Sequence, residues 1–357
     1  MKFNNSFLDQ LEPYSPGEQP RNKNYIKLNT NENPFPPSQR VINSLTEFDF
    51  NKLRKYPDPD TSKLKEVLGK KFNLSDENIF IGNGSDEVLS LIFLAFFRGK
   101  KILFPEITYS FYSSFAKLAL SRYEKIPLEK DFSINLKKYN KNAYGIIFPN
   151  PNAPTGISID YEKIKSFIRF NPKKLIIIDE AYADFNSFNC IDLVQKFKNL
   201  VIVRTFSKSY SLAGLRIGFC LANKSIIKQL AKVKNSFNSY PVDQLAEIAA
   251  ITAIKDSSYF NEIIKKIKNN RAWLEKKFIQ MGYNFIKSDT NFILVKPKKK
   301  SAKNLYLYLR SKGILVRYFS NPKKLSSYLR ITIGDFDECQ KLVNYLKINK
   351  EDDFEKS

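Results

Sequence analysis

Histidine is absent from this 357-residue chain. That absence removes Ser-His-Asp and Cys-His hydrolases, His-ligated zinc sites and any histidine acid or base, so in an enzyme lysine, tyrosine, a carboxylate or a cofactor must carry the protons. Cysteine is scarce. Cys190, Cys220 and Cys339 lie far apart, with no paired spacing for a metal knuckle or a disulfide framework, and they read as small buried hydrophobes in a reducing compartment. No metal site is expected. Long apolar runs are missing too: the longest, residues 88–97, is too short to span a bilayer. The first 20 residues carry Glu, Asp, Gln and Pro where a signal peptide would have an apolar core. These features point to the cytoplasm and away from membranes.

What is present is a globular composition, 43% apolar and 14% aromatic, too rich in Phe, Tyr and Ile for disorder or a coiled coil. The length suggests about two domains with a sizeable core. A net charge of +23 invites a nucleic-acid reading, because lysines that neutralise phosphates release counterions. However, the 47 lysines and 12 arginines are spread along the whole chain, as a residue-usage bias on solvated faces would spread them. A non-enzymatic polyanion-binding protein is therefore a distant alternative, and no specific nucleic-acid partner is expected. The densest basic run is 298–300.

Residues 1–37, rich in Pro and Asn, suit an extended arm expected to pack on the small C-terminal domain and the active site. From 38 to 242, short apolar runs alternate with helical patterns. Strands are expected at 79–82, 101–104, 144–148, 175–179, 200–204 and 216–221, with helices from about 39, from about 85, and over 107–120 and 160–170. Near-continuous apolar strands separated by helices predict an α/β fold with a mostly parallel sheet covered on both faces. From 243 to 357 the texture changes to a smaller α+β unit. Its helices are expected at 244–255, 258–281 and 303–312, its strands at 291–296, 314–316 and 329–333, and a frayed tail after 349.

In such sheets ligands sit beyond the carboxyl ends of the strands. Five segments there hold chemistry. In IGNGSDE (81–87) a strand ends in glycines and a helix opens at Ser85 and Asp86, which suits an anion, although either residue also serves as an ordinary N-cap. FPNPNAPTG (148–156) is a rigid turn. In IIIDEAYADF (176–185) Asp179 closes a buried strand and needs a cationic partner, with Tyr182 three residues on. In RTFSKSYSLAGLRIGF (204–219) Lys208 is ringed by hydroxyls between two apolar strands, a setting for the depressed pKa that Schiff-base chemistry requires, and Arg216 follows. In SSYLRITIG (326–334) Arg330 sits inside an apolar strand, thirteen residues after Arg317.

Together and in this order, these segments resemble the fold-type-I pyridoxal-phosphate aminotransferases over nearly the whole chain. The motifs LNTNENPFPPS, KYPDPD, GNGSDE, NAPTG, DEAYADF, SKSYSLAGLRIG and VRYF…LRITIG are most similar to the histidinol-phosphate aminotransferases. The resemblance implies pyridoxal 5'-phosphate as cofactor. It casts Lys208 as the lysine that bonds the cofactor and moves the proton, Asp179 as the carboxylate on the ring nitrogen, and Tyr182 as the phenol on the ring hydroxyl. Gly84, Ser85, Asp86, Thr205, Ser207 and Arg216 would hold the phosphate, and Tyr109 would stack on the ring. Tyr56 would reach the neighbouring subunit's cofactor, making an obligatory homodimer with a shared site. Arg330 would bind the carboxylate of 2-oxoglutarate or glutamate, and Arg317, Arg330 and Tyr14 the phosphate of histidinol phosphate.

One departure is that the family's usual Asn before Pro-Thr-Gly, which contacts the ring hydroxyl, is Ala153 here, so Asn152 is expected to serve instead. Thr30 stands where the related motif often has Ala. The implied reaction transfers the amino group of L-histidinol phosphate to 2-oxoglutarate. An aromatic or aspartate aminotransferase, or a phosphothreonine decarboxylase, is the alternative on the same motifs.

Overall fold

The computed structural model describes residues 7–11, 16–20, 25–298 and 301–351. Its strands, in chain order, are β1 (Ile26–Leu28), β2 (Ile79–Gly82), β3 (Lys101–Pro105), β4 (Arg122–Ile126), β5 (Gly145–Pro149), β6 (Leu175–Asp179), β7 (Leu200–Thr205), β8 (Gly218–Ala222), β9 (Asn284–Ile286), β10 (Phe292–Lys296), β11 (Ile314–Tyr318) and β12 (Leu329–Thr332). Seven of them form one sheet in the order β2-β8-β7-β6-β5-β3-β4. Only β8 runs against its neighbours, so β2 to β7 all end at the same edge.

The apolar runs have a direct explanation in this sheet. Along β7, Leu200 and Ile202 join one buried cluster and Val201 and Val203 the other, and Ile176, Ile177 and Ile178 of β6 alternate in the same way. Successive side chains point to opposite faces, and both faces are covered, so no position is left for a polar residue until the strand ends. Asp179 is where β6 ends.

A second sheet, β1-β11-β12-β10-β9, packs with the helices Ser257–Met281, Ala302–Ser311 and Phe336–Glu351 around its own apolar cluster. β1 belongs to the N-terminal arm and pairs in parallel with β11, so the arm is stitched into this sheet just before it reaches the LNTNENP segment. The edge strand β4, RYEKI, had no apolar run to announce it; its charged residues suit a sheet edge, where they oppose pairing with another chain.

Several expected bounds shift, two of them with a visible cause. The helix expected over 107–120 is confined to Phe111–Leu118, because the Ile107 carbonyl accepts from the Asn152 side chain and the Thr108 hydroxyl donates to it, which holds that stretch to the next loop. The strand expected from 216 begins at Gly218, since Arg216 takes a left-handed conformation at φ 52°. The last helix continues to Glu351, two residues into the stretch expected to fray; residues 352–357 lie outside the described residues.

Candidate active site

Lys208 lies on the turn that leaves β7. Its Nζ donates to the Thr30 carbonyl at 3.2 Å, and the arm holds its backbone as well: Asn33 Nδ2 donates to the carbonyls of Lys208 (3.0 Å) and Ser209 (3.3 Å). Burial lowers the pKa of this amine to about 8; the positive charges of Arg330 and Arg216 push the same way, against Glu32 and Asp86. An amine so placed gives up its proton far more readily than a surface lysine. The ring of Tyr182 faces it, with Nζ 6.0 Å from the ring centroid, and the Tyr182 hydroxyl accepts from Asn31 Nδ2 at 2.9 Å.

Asp179 is 5% exposed, and burial raises its carboxyl to about 6. Its oxygens accept from the Tyr112 hydroxyl (2.7 Å) and the Ala181 N–H (3.1 Å), neither of them cationic. Buried carboxylates are normally matched by a positive charge, so this one is set for a cation that none of the described residues places on it.

An anion cup lies beside the lysine. The helix Gly84–Ile92 starts directly after β2, so its unpaired N–H groups and positive dipole end face the carboxyl edge. Gly84 has φ +82°, and a Cβ there would lie 2.6 Å from the Arg216 guanidinium; a Cβ at Gly218 would collide with the Ser85 nitrogen. Both glycines therefore let the helix start, β8 and the arginine close up. Arg216 reaches Asp86 at 3.3 Å and Ser207 Oγ at 3.5 Å, and the Thr205 hydroxyl donates to Ser207 Oγ at 3.0 Å. Tyr109 donates to Asp86 at 2.7 Å.

From the second sheet, Arg317 and Arg330 stand directly opposite each other on β11 and β12. Like charges facing across a strand pair repel unless an anion lies between them. Arg330 donates to the Asn29 carbonyl at 2.9 Å and lies over Phe292 and Phe319.

A match to the family of aminotransferases of class I and II spans residues 23–346. The histidinol-phosphate aminotransferase of Brachyspira hyodysenteriae is 47% identical over 94% of this chain and 96% of its own length. Among solved structures, that of Clostridium acetobutylicum histidinol-phosphate aminotransferase superposes with a TM-score of 0.85 at 26% identity, covering 92% of this chain and 99% of that one. The Sinorhizobium meliloti histidinol-phosphate aminotransferase, solved in complex with pyridoxal-5'-phosphate, gives 0.81 at 25% identity, covering 90% and 89%. The chain belongs to the class I and II aminotransferases, among the histidinol-phosphate aminotransferases.

Measured against the expectations for such an aminotransferase, the structure brings Lys208, Asp179, Tyr182, Tyr109 and the cup residues to one edge of the sheet, with Arg330 acting electrostatically on Lys208. Tyr56 is 81% exposed and stacked on Tyr240 at 4.7 Å. Asn152 is fully buried, and both its N–H groups are engaged, by the Ile107 carbonyl and by Thr155 Oγ1, so here it braces the turn. Tyr14 lies outside the described residues. Sequence reasoning missed Tyr112, which shares a helix with apolar neighbours and looks like core, and the arm residues Asn31 and Asn33, whose partners are more than 150 residues away. Among the described residues no helix is long and apolar enough to cross a membrane.

Proposed function

We propose that this enzyme transfers the amino group of L-histidinol phosphate to 2-oxoglutarate, giving 3-(imidazol-4-yl)-2-oxopropyl phosphate and L-glutamate, with pyridoxal 5'-phosphate bound at the carboxyl edge of the large sheet. The observation that carries this reading is one edge holding a buried amine, a buried carboxylate lacking a cation and a glycine-lined anion cup, with two opposed arginines on the second sheet. The residues fit the cofactor: a protonated ring nitrogen answers Asp179, a phosphate answers the helix start with Arg216, Ser207 and Thr205, and an aldehyde answers Lys208.

When bound, the cofactor supplies an electron-withdrawing ring that stabilises negative charge at the substrate α-carbon. Asp179, kept as a carboxylate by Tyr112 and the Ala181 N–H, would hold a proton on the ring nitrogen. Lys208, with its lowered pKa, would be the group that takes the proton from the substrate α-carbon and holds it for return to the cofactor. Tyr182, its hydroxyl steadied by Asn31, would hydrogen-bond the ring hydroxyl, and Tyr109 would stack on the ring. The phosphate of histidinol phosphate goes to Arg317 and Arg330. In the second half of the cycle Arg330 binds a carboxylate of 2-oxoglutarate in the same place. No step calls for a histidine.

The enzyme works as a homodimer in the cytoplasm. Exposed Phe50, Leu53, Tyr56, Phe237 and Tyr240 are apolar or aromatic side chains open to a second copy, whose cofactor Tyr56 would reach, and three free buried cysteines accord with a reducing compartment. The test is the visible spectrum of the cofactor-loaded protein. L-histidinol phosphate should remove the cofactor's long-wavelength band at lower concentration than aspartate, phenylalanine or tyrosine, and 2-oxoglutarate should restore it. A band removed by the amino acids alone refutes the substrate, and carbon dioxide release from phosphothreonine would reassign the enzyme as a decarboxylase.

A further inference from the structure

Behind the site, and used by none of the steps above, lies a buried charge cluster. Arg204, on β7, is 4% exposed. Its Nη1 donates to Glu180 Oε2 at 2.9 Å and its Nη2 to Asp184 Oδ1. Each carboxylate has a second partner. Glu180 Oε1 accepts the Cys190 N–H at 2.6 Å, and Asp184 Oδ2 accepts the Ser209 hydroxyl at 2.5 Å. Glu180 is wholly buried, and burial raises its pKa against the pull of Arg204.

The places of these residues in the chain matter more than the ion pairs. Glu180 follows Asp179 directly; Glu180 and Asp184 bracket Tyr182; Ser209 follows Lys208. One guanidinium thus ties the turn that carries the ring-facing carboxylate and phenol to β7, and the Asp184–Ser209 hydrogen bond carries that tie on to the turn that holds the lysine. The arm adds a second tie between these turns, by Asn31 to Tyr182 and Asn33 to the Lys208 and Ser209 carbonyls. A buried arginine with two carboxylates is poor value as a stabiliser, because apolar residues of the same volume serve as well or better. Holding two turns in register is a task that apolar packing performs less sharply, since a planar guanidinium fixes both partners in direction as well as distance.

The geometry points to Arg204, Glu180, Asp184 and Ser209 as a positioning relay that sets Lys208 against Asp179 and Tyr182, with Ser209 the link to the lysine turn. This rests on the reading of Lys208 as the proton-moving amine, and it adds residues that do not touch substrate or cofactor.

The experiment uses the full-length, cofactor-loaded protein as wild type, Ser209→Ala, Ser209→Thr, Asp184→Asn and Arg204→Lys. It measures kcat and KM for histidinol phosphate, the pH midpoint of the cofactor's visible spectrum, and the thermal midpoint. Ser209→Ala should fold with a thermal midpoint close to wild type, lose about tenfold to a hundredfold in kcat with KM little changed, as sub-ångström misplacement of a reacting group does, and shift the spectral pH midpoint. Ser209→Thr, which keeps the hydroxyl, should restore both. Arg204→Lys and Asp184→Asn should move the same two readouts in the same sense. Wild-type kcat and spectral midpoint in Ser209→Ala would overturn the relay, as would a lowered thermal midpoint as the sole change in the set. The spectral midpoint needs no substrate, so a wild-type protein that ignores histidinol phosphate would sink the substrate assignment while the relay is still judged.

Discussion

A catalytic amine held in a buried, positively charged setting costs stability, and Lys208→Met should reveal how much. In the folded chain its pKa is lowered to about 8 from an ordinary 10.5, by burial first and then by Arg330. At about 1.36 kcal/mol per pH unit, that difference is about 3 kcal/mol. Its hydrogen bond to the Thr30 carbonyl and partial access to solvent offset part of this, leaving about 1–3 kcal/mol. The sign follows from the direction. A depressed lysine contributes its full stability above pH 10.5 and loses it as pH falls through about 8, so the destabilisation is complete at neutral pH. Methionine fills similar volume with no charge. Urea denaturation of both proteins stripped of cofactor should therefore find Lys208→Met more stable by about 1–3 kcal/mol at pH 7, with the gap closing as pH rises towards 10.5. A variant no more stable than wild type at pH 7, or a gap independent of pH, would refute the reasoning.

Tyr112→Phe removes one of the two donors on Asp179 and should cost about 1–3 kcal/mol of stability, read by denaturation, because a buried carboxylate is left short of a partner. The carboxyl, already raised to about 6, should rise further. An acid raised in the folded state contributes stability below its ordinary 3.8 and loses it as pH climbs through about 6, so in the variant that loss should extend to higher pH. Gly218→Ala should weaken cofactor binding about tenfold or more, about 1.4 kcal/mol, since its Cβ displaces the start of the Gly84–Ile92 helix; equilibrium titration with pyridoxal 5'-phosphate measures it. Arg330→Ala should raise KM for histidinol phosphate about tenfold to a hundredfold, the loss of about 1.5–3 kcal/mol of charge-assisted hydrogen bonding, while the cofactor's absorption band persists. Steady-state kinetics beside the spectrum would separate these two effects.

The alternation of buried strands and helices can be read along the chain, because apolar runs bounded by turn residues are local facts, and with it the edge where chemistry must lie. The sequence also singled out Lys208, Asp179 and Arg216, each of which stands out as a polar residue beside an apolar run. What only the tertiary structure decided are the pairings across long stretches of chain. Tyr112 meets Asp179, Asn31 meets Tyr182, Arg317 faces Arg330, and Arg204 joins Glu180 to Asp184, yet none of the donors has a local pattern that names its acceptor. Asn152 shows the same limit from the other side: its position beside Ala153 suggested a ring contact, whereas its N–H groups are taken up by Ile107 and Thr155. Hydrophobic period and turn chemistry act over a few residues and can be read along the chain. A hydrogen bond between groups far apart in sequence exists only after the sheet has brought its strand ends to a common edge.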